Sequence, residues 1–100
     1  MKLRWTARAV ADLEEIADYL LGVQPKAWDK LLARIELTLD YLLQFPHMGK
    51  MGIVKGTREF VFSGTPYILV FRLKLDVIQV LSVRDARMRV PTSLYLRYTF

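Results

Sequence analysis

Residues 67–71, Tyr-Ile-Leu-Val-Phe, are five consecutive apolar positions. Side chains alternate between the faces of a strand, so a strand with this run needs cover on both faces. That requirement places it near the centre of a sheet. Arg58-Glu59-Phe60-Val61-Phe62 reads as the strand before it, and Ser63-Gly64-Thr65-Pro66 supplies the turn. Gly64 tolerates a positive φ, and Pro66 opens the second strand, where its missing N–H costs least. Residues 56–72 therefore form a hairpin, with Arg58 and Arg72 at its ends.

The rest of the chain supplies the cover. Residues 2–5 alternate polar and apolar and predict a short first strand. Thr6 is a good N-cap, and residues 7–21 contain neither Gly nor Pro. Val10, Leu13, Ala17 and Leu20, with Ile16 and Leu21 beside them, make an apolar stripe at helical spacing. Asp12, Glu14, Glu15 and Asp18 fall on its flanks as a solvated face. Gly22 ends this helix, and Pro25 suits the first turn of the next. Residues 26–45 carry Trp28, Leu31, Leu32, Ile35, Leu39, Leu42 and Leu43 at helical spacing, and Phe45-Pro46 stops them. The short gap at 22–24 predicts an antiparallel helical hairpin. A loop with three glycines spans 47–56 and matches no nucleotide-binding spacing. A connection at 73–76 leads to a last strand at 77–83, followed by Arg84, Arg87 and Arg89 within six residues. The expected fold is α+β: a short strand, two helices, then a three-stranded antiparallel meander, with the helices on one face.

The totals bound the function. One hundred residues, 53% of them hydrophobic, make one domain with a real core. There is no cysteine and one histidine, His47, so disulfides, thiolate metal sites and a multi-histidine zinc site are excluded. No run reaches the roughly 18 apolar residues of a membrane span. The N-terminus lacks a signal-peptide pattern, so a cytoplasmic location is the expectation. The net charge of +5 resides in the second half, which carries eight Lys/Arg against three acidic residues, while the first half balances. Such a half fits an anionic partner, nucleic acid or an acidic protein segment, and equally a sheet edge guarded by charge.

The ordered set Phe45-Pro46-His47-Met48-Gly49-Lys50, Gly56-Thr57-Arg58-Glu59, Pro66 to Arg72, and Val80-Leu81-Ser82-Val83 followed by Arg84 and Arg87 resembles the RelE/ParE superfamily. Trp5, Ala11, Asp12, Leu13, Ile16 and Tyr19 resemble its first helix. The resemblance covers residues 3 to about 91, so the expected domain is 1–91, with 92–100 as an aromatic tail. It implies the toxin of a type II toxin–antitoxin pair, bound by a cognate antitoxin and reaching operator DNA only through it. Two activities belong to the superfamily: ParE-like members poison DNA gyrase, and RelE-like members cleave mRNA on the ribosome. Where the ribonucleases carry lysines, this chain has Glu59 and Val61; Ile68 stands where many have arginine; Arg84 replaces a frequent strand-end histidine.

The resemblance thus leans to the ParE branch, a binding module without cofactor or metal. The alternatives are a RelE-like interferase or a toxin fold that has lost toxicity. A nuclease site would draw on Arg58, Arg72, Arg84, Arg87 and Tyr67, with His47 and Glu59 as further proton carriers. Arginine stabilises negative charge well but transfers protons poorly near neutrality. In the binding reading, Arg58, Arg72, Arg84, Arg87, Tyr95 and Tyr98 contact the partner.

Overall fold

The computed structural model describes residues 1–87. The elements are β1 (Lys2–Trp5), α1 (Ala7–Val23), α2 (Pro25–Gln44), β2 (Lys50–Met51), β3 (Arg58–Val61), β4 (Tyr67–Lys74) and β5 (Val77–Asp85). They form one five-stranded sheet in the order β1-β5-β4-β3-β2. β4 is the middle strand. Its neighbours β3 and β5 run antiparallel to it, β2 is antiparallel to β3, and β1 joins β5 in parallel. The α+β class and the central hairpin match the expectation from sequence.

β4 divides its apolar run as the alternation requires. Tyr67, Leu69 and Phe71 join Ala9, Leu20, Leu31, Ile35 and Leu42 of the helices, with Ile78, Val80 and Val83 of β5, in the main core. Ile68 and Val70 face the other way and form a second buried cluster with Leu81, onto which Val54 packs. The register between β4 and β5 shifts between Val70 and Phe71, which pair with Ser82 and Val80. Leu81 is the extra residue of this bulge.

Several details differ from the sequence reading. Gly22 lies inside α1, and the helices are linked by Gln24 alone. The buried line of α1 runs through Ala9 and Leu20, with Leu13 and Ile16 partly buried. Val10 is 41% exposed and Leu21 is exposed as well. The helix is rotated because Ala9, small and only mildly apolar, fits against the sheet where a larger side chain would hold the helix off. The loop at 47–56 contains the edge strand β2, so the meander of three strands is extended by one at its end. The connection at 73–76 shrinks to a turn at Leu75-Asp76, with Leu75 at φ 55. Tyr95 and Tyr98 lie outside the described residues.

β1 ends opposite Val80, and among the described residues the far half of β5 has no strand neighbour on that side. The start of α1 takes its place. Thr6 accepts a hydrogen bond from Ala9 N as the expected N-cap, donates its own N–H to Val80 O (3.0 Å), and donates its hydroxyl to Leu81 O (3.2 Å). Asp12 Oδ2 accepts from Ser82 Oγ (2.7 Å) and from Val83 N (3.2 Å), while its other oxygen pairs with Arg8 (3.0 Å). Asp12 therefore seals an edge rather than wetting a helix face. Asp12→Ala leaves the Val83 amide and Ser82 hydroxyl without an acceptor in a half-buried site and is expected to cost about 1–3 kcal/mol, read from the urea midpoint. Val10→Ala, on the exposed side, should shift that midpoint by a few tenths of a kcal/mol.

Candidate functional site

The four arginines singled out in the sequence divide between the two ends of the sheet. Arg58 pairs with Phe71 and Arg72 with Gln79, at one end. Arg84 pairs with Ile68 at the other, and Arg87 follows just past the end of β5. Four residues of β4, about 13 Å of strand, separate the two ends. The groups do not meet around a single point.

Each guanidinium has a partner within the chain. Arg58 donates to the carbonyls of His47 (2.9 Å) and Gly49 (3.5 Å), tying β3 to the segment after α2. Arg72 Nε donates to the side-chain oxygen of Gln79. Arg87 grips Asp85 through Nε (3.0 Å) and NH2 (2.7 Å), and its own amide also donates to Asp85 Oδ1 (2.8 Å). That grip holds the Asp85 carboxyl below its ordinary pKa, against the opposing effect of burial. The Arg87 side chain is otherwise open to solvent.

The Arg84–Glu59 pair is the deepest charged feature among the described residues. Glu59 is 4% exposed and Arg84 17%, with Arg84 NH2 3.1 Å from Glu59 Oε1. The second carboxylate oxygen accepts from Ile53 N at 3.3 Å. Glu59 pairs with Val70 along β3–β4, which sets the carboxylate on the face turned away from the helices. The strand ladder dictates this: Glu59 and Ile68 sit on strands that neighbour each other, and Ile68 in turn faces Arg84. Arg84 Nε is buried and, among the described residues, makes no hydrogen bond.

Tyr67 lies elsewhere. It is part of the helix-side core, on the opposite face from Glu59 and Arg84. Burial raises its pKa above the ordinary 10.0, with a further push from Asp85 and a smaller opposing pull from Arg87. A phenol whose proton is held more tightly is a poor base near neutrality. His47 sits in the turn after α2, where its carbonyl, not its ring, is what Arg58 uses. No cluster of metal-ligating side chains occurs among the described residues, and no described helix is long and apolar enough to cross a membrane. The sequence singled out Glu59 and Arg84 separately. Their pairing was beyond it, because 25 residues and two strand crossings lie between them.

Residues 3–90 match the family model described as "ParE toxin of type II toxin-antitoxin system, parDE". The chain belongs to the ParE toxin family. It is 38% identical to the candidate toxin Y4kP of Sinorhizobium fredii over 93 residues, covering 93% of this chain and 96% of that protein. It is 29% identical to toxin RelE2 of Caulobacter vibrioides over 82 residues, covering 82% of this chain and 91% of that one. Its fold is similar to a chain of the chromosomal ParDE TA system from P. aeruginosa, with a TM-score of 0.71 and 30% identity over 85% of this chain and 95% of that chain. The protein is thus a type II toxin–antitoxin toxin of the RelE/ParE superfamily, ParE-like, and this membership implies an antitoxin partner.

For a ParE-family chain, the Glu59–Arg84 pair makes a structural prediction. Arg84→Ala leaves a buried carboxylate without its cation and is expected to cost about 3–5 kcal/mol in urea unfolding. Arg87→Ala, on an exposed pair, should leave the midpoint nearly unchanged. Tyr67 adds a pH signature. Its folded pKa lies above its unfolded value, so its contribution is complete below the ordinary value of 10.0 and is lost as the pH rises through the folded value. Stability should fall on the alkaline side of pH 10.0, and Tyr67→Phe should flatten that fall.

Proposed function

We propose that this toxin works by binding, with DNA gyrase as its target and a cognate antitoxin as its neutralising partner. In this reading residues 1–91 form the toxin domain and reach operator DNA only through the antitoxin. The match to the ParE family supports it. The observation that carries it is the state of the charged groups on the sheet. Cleavage of a phosphodiester needs a proton carrier beside the groups that stabilise the developing charge. Here Glu59 is committed to Arg84 and to the Ile53 amide, and Tyr67 lies on the opposite face. Arg58, Arg72 and Arg87 are each held by a neighbour. Such arginines are set in fixed positions on a basic half, which suits the recognition of an acidic partner.

A second reading is a RelE-like interferase, favoured by the likeness to toxin RelE2 and by the eight cations of the second half. The two separate cleanly. Purified toxin is expected to inhibit supercoiling by gyrase and to trap cleavage complexes, and transcripts from induced cells should show no codon-phased 5′ ends. Phased cuts with untouched gyrase would replace the first reading by the second. Harmless overexpression without antitoxin would remove both. Arg87→Ala, which leaves the fold intact, should weaken antitoxin binding several-fold, and more at low salt than at high.

A further inference from the structure

On the face turned away from the helices, β5 presents two neutral residues, Val77 and Gln79, and cations flank both of them. Val77 lies between Lys2 of β1 and Lys74 of β4, and Gln79 lies between Arg4 and Arg72. The alternate positions Leu3, Ile78 and Leu73 belong to the helix-side core, so Lys2, Arg4, Arg72 and Lys74 share the open face. Lys2, Arg4 and Lys74 are exposed. Arg72 is half-buried, and its Nε donates to the Gln79 side chain, which sets it beside β5. Among the described residues, Lys2, Arg4 and Lys74 form no ion pair. Asp76 belongs to the turn between β4 and β5. Glu59, on the same face but level with Val70, is taken by Arg84.

Neither ordinary explanation of surface charge accounts for this array. Charge that guards a sheet edge belongs on the outermost strands, but Arg72 and Lys74 stand on β4, the middle strand. A merely solvated face mixes signs, because opposite charges across strands stabilise a sheet and like charges weaken it. Here the strand positions on either side of Val77 and Gln79 carry cations and no carboxylate. Strands about 4.8 Å apart put the β1 and β4 columns about 10 Å from each other, and the two cations of a column lie about 7 Å apart. We propose that Lys2, Arg4, Arg72 and Lys74 form a docking surface for the phosphate backbone of duplex DNA, one column to each strand. The step within a column is comparable to that between neighbouring phosphates, and the two columns can reach both sides of a minor groove about 6 Å wide. An acidic protein segment fits less well, because bound peptides are held by apolar anchors. The apolar strip of Ile68, Val70 and Leu81 lies towards the other end of β4 from Lys74. Phosphate contacts position without reading sequence, so finding an operator stays with the antitoxin. The choice of duplex DNA rests on the gyrase reading, since gyrase holds duplex DNA; the cationic array itself does not. Lys2 and Arg4 come from the half of the chain whose charges balance, and only the β1–β5 pairing brings them to this face.

Fluorescence anisotropy of a labelled DNA duplex with the full chain, in the absence of gyrase and antitoxin, tests it. At about 0.1 M salt the expected Kd is about 1–100 μM, and log K should fall against log salt with a slope of about −3.6, or about 0.9 for each phosphate contacted. Lys2→Gln combined with Lys74→Gln, both at exposed positions, should weaken binding by about tenfold and make the slope shallower by about 2. Lys26→Gln, in the helical layer, should change neither. If the double variant loses the native urea midpoint, Arg4→Gln replaces it, with an expected slope change of about 1. The proposal is overturned by a native slope shallower than about −2, or by a Lys26→Gln variant that weakens binding as much as the double variant. Polyglutamate that displaces the duplex at equal charge concentration would assign the surface to an acidic protein segment instead. Single-stranded RNA that binds more tightly than the duplex would overturn the choice of DNA. Because gyrase is absent from the measurement, failure of DNA binding leaves the gyrase reading standing, and failure of gyrase inhibition leaves the binding result standing.

Discussion

Everything in this fold follows from the need to cover β4 on both sides. Burial of apolar surface is worth about 25 cal/mol per Å², and a strand with five consecutive apolar residues forfeits half of that gain if one face stays wet. The helices meet the demand on one face through Leu31, Ile35 and Leu42, which are almost fully buried. On the other face no described helix is packed. There the chain uses Val54 on a loop and a charged pair at the margin. Among the described residues the two faces are therefore unequal in kind: one is a jigsaw of large side chains, the other a thin cover of one loop side chain and a charged pair.

That inequality places the charges. A carboxylate as deep as Glu59 survives only if cationic or N–H partners offset its lost hydration. Arg84 and the Ile53 amide are those partners. The same pairing that secures the thin side also removes Glu59 from the proton carriers a nuclease would need. Structure and proposed function meet at one ion pair: its structural role argues for a toxin that grips over one that cuts.

Much of the architecture could be read directly from the chain, for reasons of range. Thr6 announces its helix because capping is local, and the apolar run of residues 67–71 announces a covered strand because alternation is local. The orientation of α1 was less legible. Val10 and Ala9 lie 100° apart on the helix, and hydropathy favours valine, whereas the sheet accepts the smaller residue. β2, two residues between glycine-rich stretches, has too little pattern to detect. The site residues were visible as types but not as partners. Asp12 meets Ser82 and Val83 across about seventy positions, and Glu59 meets Arg84 across 25. Such meetings are products of topology, and charge counting alone gives each arginine as a cation without the neighbour that holds it.

The bulge at Leu81 has a consequence for anyone who mutates β5. Before it, the core-facing residues carry even numbers, Ile78 and Val80; after it, the core-facing residue is Val83. The odd-numbered Gln79 and the even-numbered Arg84 thus share the opposite side. A systematic scan along this strand should show tolerance changing parity at position 81, and loss of that one residue would turn either Arg84 inward or the Ile78–Val80 pair outward. The strand keeps both its apolar anchor and its cation correctly aimed only because it is one residue longer than its neighbour requires.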